Sequence, residues 1–249
     1  MERNTMPNSY TATYTLDYER CNALNDWRLS AMLNAFSSTS IAHDRATRKK
    51  TSPFLWVITQ NDITIHRLPK NGEEVQVTTT AWGNNAFFCF RSYRVEDASG
   101  KEIIHAETVY ALIDKKKRQL IRIPEEVVEQ YDSHRVRRGA PIPKLPKTLD
   151  HVDLMDTLTI QFSDLDTNGH TSNAVYLDWV MNALGRDWHQ YYFAEHITIK
   201  YEKELLYQQR VDQQIAILER TDDVATTCHI IQVEGERHAI IQVTWHKRS

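Results

Sequence analysis

One order of elements occurs twice in this chain and limits the folds open to it: a strand-like stretch, a long apolar helical stretch, then a run of strand-like stretches separated by turn signals. In the first half, Tyr10, Ala12, Tyr14 and Leu16 alternate with Thr11, Thr13, Thr15 and Asp17. Such period-two alternation is the pattern of a half-buried strand, expected over residues 10–18. Residues 22–41 follow with Leu24, Trp27, Ala31, Ala35 and Phe36 at helical spacing, widened by Met32 and Leu33. So broad an apolar stripe predicts a helix mostly surrounded by protein. Strands are then expected over residues 55–65, 74–82, 86–96 and 102–113. Their breaks fall at Pro69-Lys70-Asn71-Gly72, Gly83-Asn84-Asn85 and Asp97-Ala98-Ser99-Gly100, where Gly, Asn and Asp accept left-handed backbone and Pro presets φ. This order implies an α+β unit in which a curled antiparallel sheet wraps one long central helix.

The second half repeats the scheme. A strand is expected over residues 152–162, a helix over 174–184, and strands over 196–204, 213–220, 225–234 and 237–246. A small echo supports a tandem duplication: Ile63-Thr64-Ile65 and Ile197-Thr198-Ile199 each fall on a strand that follows their helix. By that echo, Lys70 corresponds to Glu204. A short helix at 124–130, with Pro124 in its first turn and acids near its positive end, closes the first half. Residues 132–147 then combine Arg135, Arg137, Arg138, Lys144 and Lys147 with Pro141, Pro143 and Pro146, the composition of a semi-rigid linker. The expected division is a first domain at 1–131, a linker at 132–150 and a second domain at 151–249.

Composition narrows the function. A net charge of −3 gives no global case for nucleic acid, and no apolar run reaches the length of a membrane span. The first nine residues hold no apolar signal core and are too short for an organelle transit peptide, so a cytoplasmic enzyme of bacterial type is expected. Cys21, Cys89 and Cys228 are scattered and odd in number, which fits a reducing compartment, provides no metal set and favours apolar filling over nucleophilic roles.

Chemistry concentrates in Ser163-Asp164-Leu165-Asp166-Thr167-Asn168-Gly169-His170-Thr171-Ser172-Asn173, just before the apolar helical stretch containing Tyr176, Trp179 and Val180. Taken alone, this loop reads equally as a site and as a structural turn. Asn-Gly and Asp-x-x-Gly are strong turn formers, and Ser172 or Asn173 suits a helix N-cap. The pattern Asp-x-Asn-x-His, then Asn173 and Tyr176, resembles the active-site loop of the acyl-acyl carrier protein thioesterases of plants and bacteria, members of the hotdog superfamily. Tyr201-Glu202-Lys203-Glu204 resembles the family's second landmark. Leu55-Trp56-Val57-Ile58-Thr59 and Ile123-Pro124-Glu125-Glu126-Val127 extend the likeness over nearly the whole chain.

The resemblance implies a tandem hotdog that hydrolyses fatty acyl-acyl carrier protein and releases free fatty acid, with no metal or organic cofactor. It assigns catalysis to Asp166, Asn168, His170 and Glu204 in the second half. Glu204 suits a base on water, Asn168 a donor to the thioester carbonyl, His170 a proton shuttle and Asp166 an orienting acid. Amides at the helix start near Asn173 suit an oxyanion hole. Which carboxylate is base or nucleophile stays open. Some members carry a cysteine directly after the glutamate; here that residue is Leu205, so a thiolate nucleophile is excluded there. The first half is expected to be catalytically silent and to form much of the acyl pocket, with Phe54 and Trp56 as candidate substrate contacts alongside Asn173. An acidic acyl carrier protein would be steered by residues 45–50, by 115–118 or by Arg135, Arg137 and Arg138. Other readings are an acyl-CoA thioesterase on the same fold, a hotdog dehydratase, which the loop pattern disfavours, and a non-catalytic acyl-binding hotdog. Whether the tandem unit pairs into a homodimer stays open.

Overall fold

The computed structural model describes residues 8–47, 54–114, 116–117 and 119–248. The first seven residues, from which location was read, lie outside them. The chain divides into two compact units, Met1–Ile142 and Pro143–Ser249. That division falls within the stretch 132–150 read as a linker. Among the described residues no helix is long and apolar enough to cross a membrane.

The first unit runs β1 (Ser9–Thr15), α1 (Leu29–Thr47), β2 (Phe54–Ile65), β3 (Glu74–Asn84), β4 (Phe88–Asp97), β5 (Glu102–Asp114), α2 (Glu125–Gln130) and β6 (His134–Arg135). Its sheet has the order β1-β3-β4-β5-β2, antiparallel throughout, with β6 pairing β3 in parallel. Residues 134–136, read from the sequence as the start of the linker, are therefore bonded into this unit, and Val136 N–H donates to Asn84 C=O at 2.8 Å. Helix α1 lies against β1 and β3. It buries Leu29, Met32, Leu33, Ala35 and Phe36 on one face. Phe36 stacks on Tyr93, 4.6 Å between ring centroids.

The second unit runs β7 (Leu154–Thr159), α3 (Val175–Tyr191), β8 (Tyr192–Tyr201), β9 (Arg210–Arg220), β10 (Val224–Val233) and β11 (Glu236–Lys247). Its antiparallel order is β8-β11-β10-β9-β7, with α3 against β8. Each unit is thus α+β with one long helix on an antiparallel sheet, and the chain is a tandem hotdog.

The helix boundaries differ from the pattern in the sequence. The first helix ends at Thr47, not residue 41, and begins at Leu29, not residue 22. Asn22 Oδ1 accepts the N–H groups of Leu24 (2.8 Å) and Asp26 (3.1 Å), Cys21 bridges to Trp27, and Asn25 takes φ 65. A side-chain acceptor competing for helical amides turns residues 22–28 into a loop, so Leu24 is not on the helix. The second helix reaches Leu184 as expected, but Gly185 at φ 77 interrupts it and a further turn continues to Tyr191. Trp188, 9% exposed, anchors that extra turn edge-on against Trp245. Strand β8 then starts at Tyr192, not at residue 196, and stops at Tyr201, so Glu204 lies beyond the strand.

The units share a backbone scaffold that corrects the sequence echo. Trp27 N–H donates to Pro69 C=O at 2.9 Å, as Thr171 N–H does to Leu205 C=O at 3.0 Å. Glu73 N–H donates to Lys70 C=O at 3.1 Å, as Gln209 N–H does to Leu206 C=O at 3.2 Å. Pro69 therefore matches Leu205, Lys70 matches Leu206, and the counterpart of Glu204 is Leu68, not Lys70. A two-residue slip keeps every side chain of a strand on its own face, so Ile-Thr-Ile aligns as well out of register as in it.

The core of the second unit encloses a neutral imidazole. His229 is fully buried. Gln213 Nε2 donates to its Nδ1 at 2.9 Å, leaving its Nε2–H for Thr227 Oγ1, also at 2.9 Å. Burial pushes the imidazole down from 6.5 to about 3. Between those values the unfolded chain binds a proton that the folded chain refuses. The contribution of this group to stability is fully present above pH 6.5 and is lost as pH falls toward 3. Urea midpoints measured across this window should fall steeply for the wild type and less steeply for His229→Gln.

Candidate active site

The loop between β7 and α3 is built outward from one buried residue. Ile160 is fully buried; its N–H donates to Gln209 C=O at 3.0 Å and its C=O accepts Gln208 N–H at 3.2 Å. The chain then makes a 3-10 turn, Phe162–Asp164. Asp164 Oδ2 accepts Gln161 N–H at 2.8 Å, and its carbonyl accepts Ser172 N–H at 2.8 Å, closing the base of the loop.

Asp166 organises what lies inside. Its Oδ1 accepts the backbone N–H groups of Asn168 (2.7 Å) and His170 (3.2 Å), and its Oδ2 accepts Asn168 Nδ2 at 3.2 Å. Its own N–H reaches His170 C=O at 2.7 Å, and its C=O takes Gly169 N–H at 3.0 Å. This is the side-chain turn that Asp and Asn form by imitating a backbone acceptor. It requires left-handed backbone at its fourth residue, supplied by Gly169 at φ 79.

The same turn stands in the first unit with different side chains. Asn22 replaces Asp166, Asn25 replaces Gly169, and Asp26 replaces His170, with Asn22 N–H donating to Asp26 C=O at 2.8 Å. Buried Asp26 is ion-paired with Lys70 there. In the second unit, the Thr171–Leu205 backbone bond brings the preceding residues together. His170 Nε2 and Glu204 Oε2 are 3.3 Å apart, with side chains 20% and 40% exposed. Asn168, on the same loop as His170, is exposed.

Aromatic groups back this pair. Tyr201 donates its hydroxyl to Asn173 C=O at 2.9 Å and meets the buried Tyr176 ring edge-on at 5.2 Å. Burial, with the charge of Glu204 added to it, raises the Tyr176 phenol above its ordinary value. The acid segment is held from β11 as well. His238 C=O accepts Glu202 N–H (2.8 Å) and Lys203 N–H (3.1 Å), and His238 Nδ1 contacts Glu204 C=O at 3.0 Å. Arg237 grips the Glu202 carboxylate with two bonds of 2.8 Å, which, with Lys200, holds that acid down at about 2. Nothing in the sequence links residue 238 to 204; only the pairing of β8 with β11 does.

The other candidates fall in varied places. Asn173 enters through its carbonyl. The helix-start amides expected near it are partly spent: Ala174 N–H goes to Ser172 Oγ (3.4 Å), Val175 N–H to Ser172 C=O (3.1 Å) and Leu177 N–H to Ala174 C=O (3.1 Å). Phe54 and Trp56 are half-buried against a first-unit cluster of Ala81, Leu112, Ile123, Val127 and Tyr131. Burial pushes the Cys228 thiol up to about 11 and that of Cys89 to about 12, far from the thiolate a nucleophile needs. Leu205 is buried in the second unit. Among the described residues no group of three His, Cys, Asp or Glu is placed to hold a metal ion. Of the basic runs, Arg48, Lys49, Lys50, Lys115 and Arg118 lie outside the described residues.

Residues 7–131 match the acyl-ACP thioesterase N-terminal domain, and residues 148–247 match the acyl-ACP thioesterase C-terminal domain. The chain belongs to the acyl-ACP thioesterase family. The chloroplastic acyl-[acyl-carrier-protein] hydrolase FATB3 of Cuphea viscosissima is 25% identical over 194 residues, covering 71% of this chain and 47% of that protein. The chain thus spans about half the length of such relatives. A Lactobacillus plantarum structure described as an oleoyl thioesterase superposes with a TM-score of 0.89 at 25% identity, covering 97% of each chain. The 12:0-ACP thioesterase of Umbellularia californica shares the fold, with a TM-score of 0.84 at 17% identity over 96% of this chain and 98% of its own.

Because Asn22 builds the first unit's turn with an amide, Asp166→Asn should preserve the loop. Asp166→Ala removes its acceptor and should cost about 1 kcal/mol. Urea unfolding of the two variants checks this: near wild-type stability is expected for the first, a lowered midpoint for the second.

Proposed function

We propose that this acyl-ACP thioesterase family member hydrolyses the thioester of fatty acyl-acyl carrier protein, releasing free fatty acid and ending chain elongation. The observation that carries the reading is the 3.3 Å approach of His170 Nε2 to Glu204 Oε2, with Asn168 exposed on the loop that carries His170. Asp166 is the weaker candidate for the base, because its carboxylate already accepts three N–H groups. Its role is to hold Asn168 and His170 in place.

Glu204 takes a proton from water as the water oxygen bonds to the thioester carbon. Charge moves onto the carbonyl oxygen. An amide NH2 has two donors; one hydrogen of Asn168 Nδ2 serves Asp166, and the other is available to that oxygen. Collapse breaks the C–S bond, and the proton held by Glu204 returns through His170 to the departing thiolate. The products are a fatty acid and the free thiol of the carrier. An acidic carrier protein is attracted by basic surface, and Lys116, Lys117, Arg137 and Arg138 are exposed in the first unit.

Free fatty acid release from a panel of acyl-acyl carrier proteins, with matched acyl-CoAs beside them, tests the proposal. Faster turnover of the carrier-bound set is expected, together with its chain-length preference. Preference for the CoA set would move the role to CoA metabolism; hydrolysis of neither would favour a binding protein. Glu204→Gln should lower kcat by about 10²–10⁴-fold, the usual contribution of a general base.

A further inference from the structure

We propose that His238 is the positioning residue for Glu204, a role that rests on the hydrolase reading above. Glu204 lies past the end of β8, where no strand pairing fixes its backbone. His238 supplies the missing restraint from β11. Its carbonyl takes the N–H groups of Glu202 and Lys203, and its ring, 6% exposed, meets the carbonyl of Glu204 itself at 3.0 Å. A carbonyl oxygen only accepts, so His238 Nδ1 carries the hydrogen. On the other side, Leu205 C=O accepts Thr171 N–H at 3.0 Å. The peptide bearing the Glu204 carbonyl and the one that follows are thus each tied, one to β11 and one to the loop that carries His170.

The first unit serves as an internal control. There His66 N–H donates to Ile103 C=O at 2.9 Å, as Glu202 N–H does to His238 C=O at 2.8 Å. Ile103 therefore occupies the place of His238, and it is 1% exposed. The fold accepts an aliphatic side chain there, and the backbone half of the restraint needs no imidazole. The ring appears in the unit whose following segment bears Glu204; Ile103 stands where that segment bears Leu68. A buried imidazole aimed at one carbonyl is thus explained by what that carbonyl's residue does.

The test compares His238→Ile, the residue the other unit uses, with His238→Asn, whose amide places an N–H two bonds beyond Cβ, as Nδ1 does. In steady-state hydrolysis of acyl-acyl carrier protein, His238→Ile should lose about 100-fold in kcat, the scale of an ångström's displacement of a catalytic group. Its KM and thermal midpoint should stay close to wild type, and His238→Asn should recover most of the rate. The ¹⁵N resonance of His170 Nε2 gives a readout independent of turnover. Glu204→Gln should move it, His238→Ile should move it the same way, and His238→Asn should leave it in place. Wild-type kcat in His238→Ile, or equal losses in the two variants, overturns the positioning role while leaving the hydrolase reading intact. A wild-type protein that hydrolyses neither carrier-bound nor CoA-bound substrate fails the hydrolase reading instead. In that case an unmoved His170 resonance in His238→Ile overturns the positioning role on its own evidence.

Discussion

The structure depends on how each unit satisfies the backbone amides between its first strand and its long helix. A chain leaving a sheet edge to enter a helix exposes several N–H groups that neither element can bond. Both units solve this with one short acceptor side chain, Asn22 or Asp166, which takes two amides and draws the loop into a closed turn. The turn sets where each helix starts, at Leu29 and Val175. It also leaves one amide, on Trp27 or Thr171, aimed at the segment that follows the next strand.

That last bond converts a folding solution into a candidate site. Tying Thr171 to Leu205 makes neighbours of His170 and Glu204, which are far apart in the chain. In the first unit the equivalent bond joins Trp27 to Pro69, and the neighbouring pair is Asp26 and Lys70, an ion pair whose acid is buried. The backbone is shared; only the second unit lines it with an imidazole, an amide and a carboxylate. Duplication thus separates what the fold requires from what chemistry requires, since a residue needed for folding alone should serve both units.

Buried polar groups elsewhere follow the same economy. His229 is held neutral by burial and by a Gln213 amide that donates to it, while Trp245 and His229 both converge on Thr227 Oγ1. Arg91, buried in the first unit, finds His43 Nδ1 at 2.9 Å and Thr79 Oγ1 at 3.1 Å. Such groups are tolerable because they are hydrogen-bonded, and they become costly when a partner changes protonation.

The sequence by itself determined the fold class, its twofold repetition along the chain and the polar loop of the candidate site. These are carried by local patterns: alternation in β1, the apolar stripe of α1, and the Asp-x-Asn-x-His run with its turn-forming Gly169. It did not determine that residues 22–28 leave the helix, because Leu24 and Trp27 keep helical spacing while Asn22 takes the amides of Leu24 and Asp26 from the side. Nor did it give the register of the two halves, since a two-residue slip along a strand conserves the face of every residue and made Lys70 look like the counterpart of Glu204. Only tertiary structure decided that Leu68 holds that place and that Glu204 faces His170. It also put His238 on the acid's own carbonyl. Those relations run through hydrogen bonds between segments distant in the chain, and no local pattern encodes which amide meets which carbonyl.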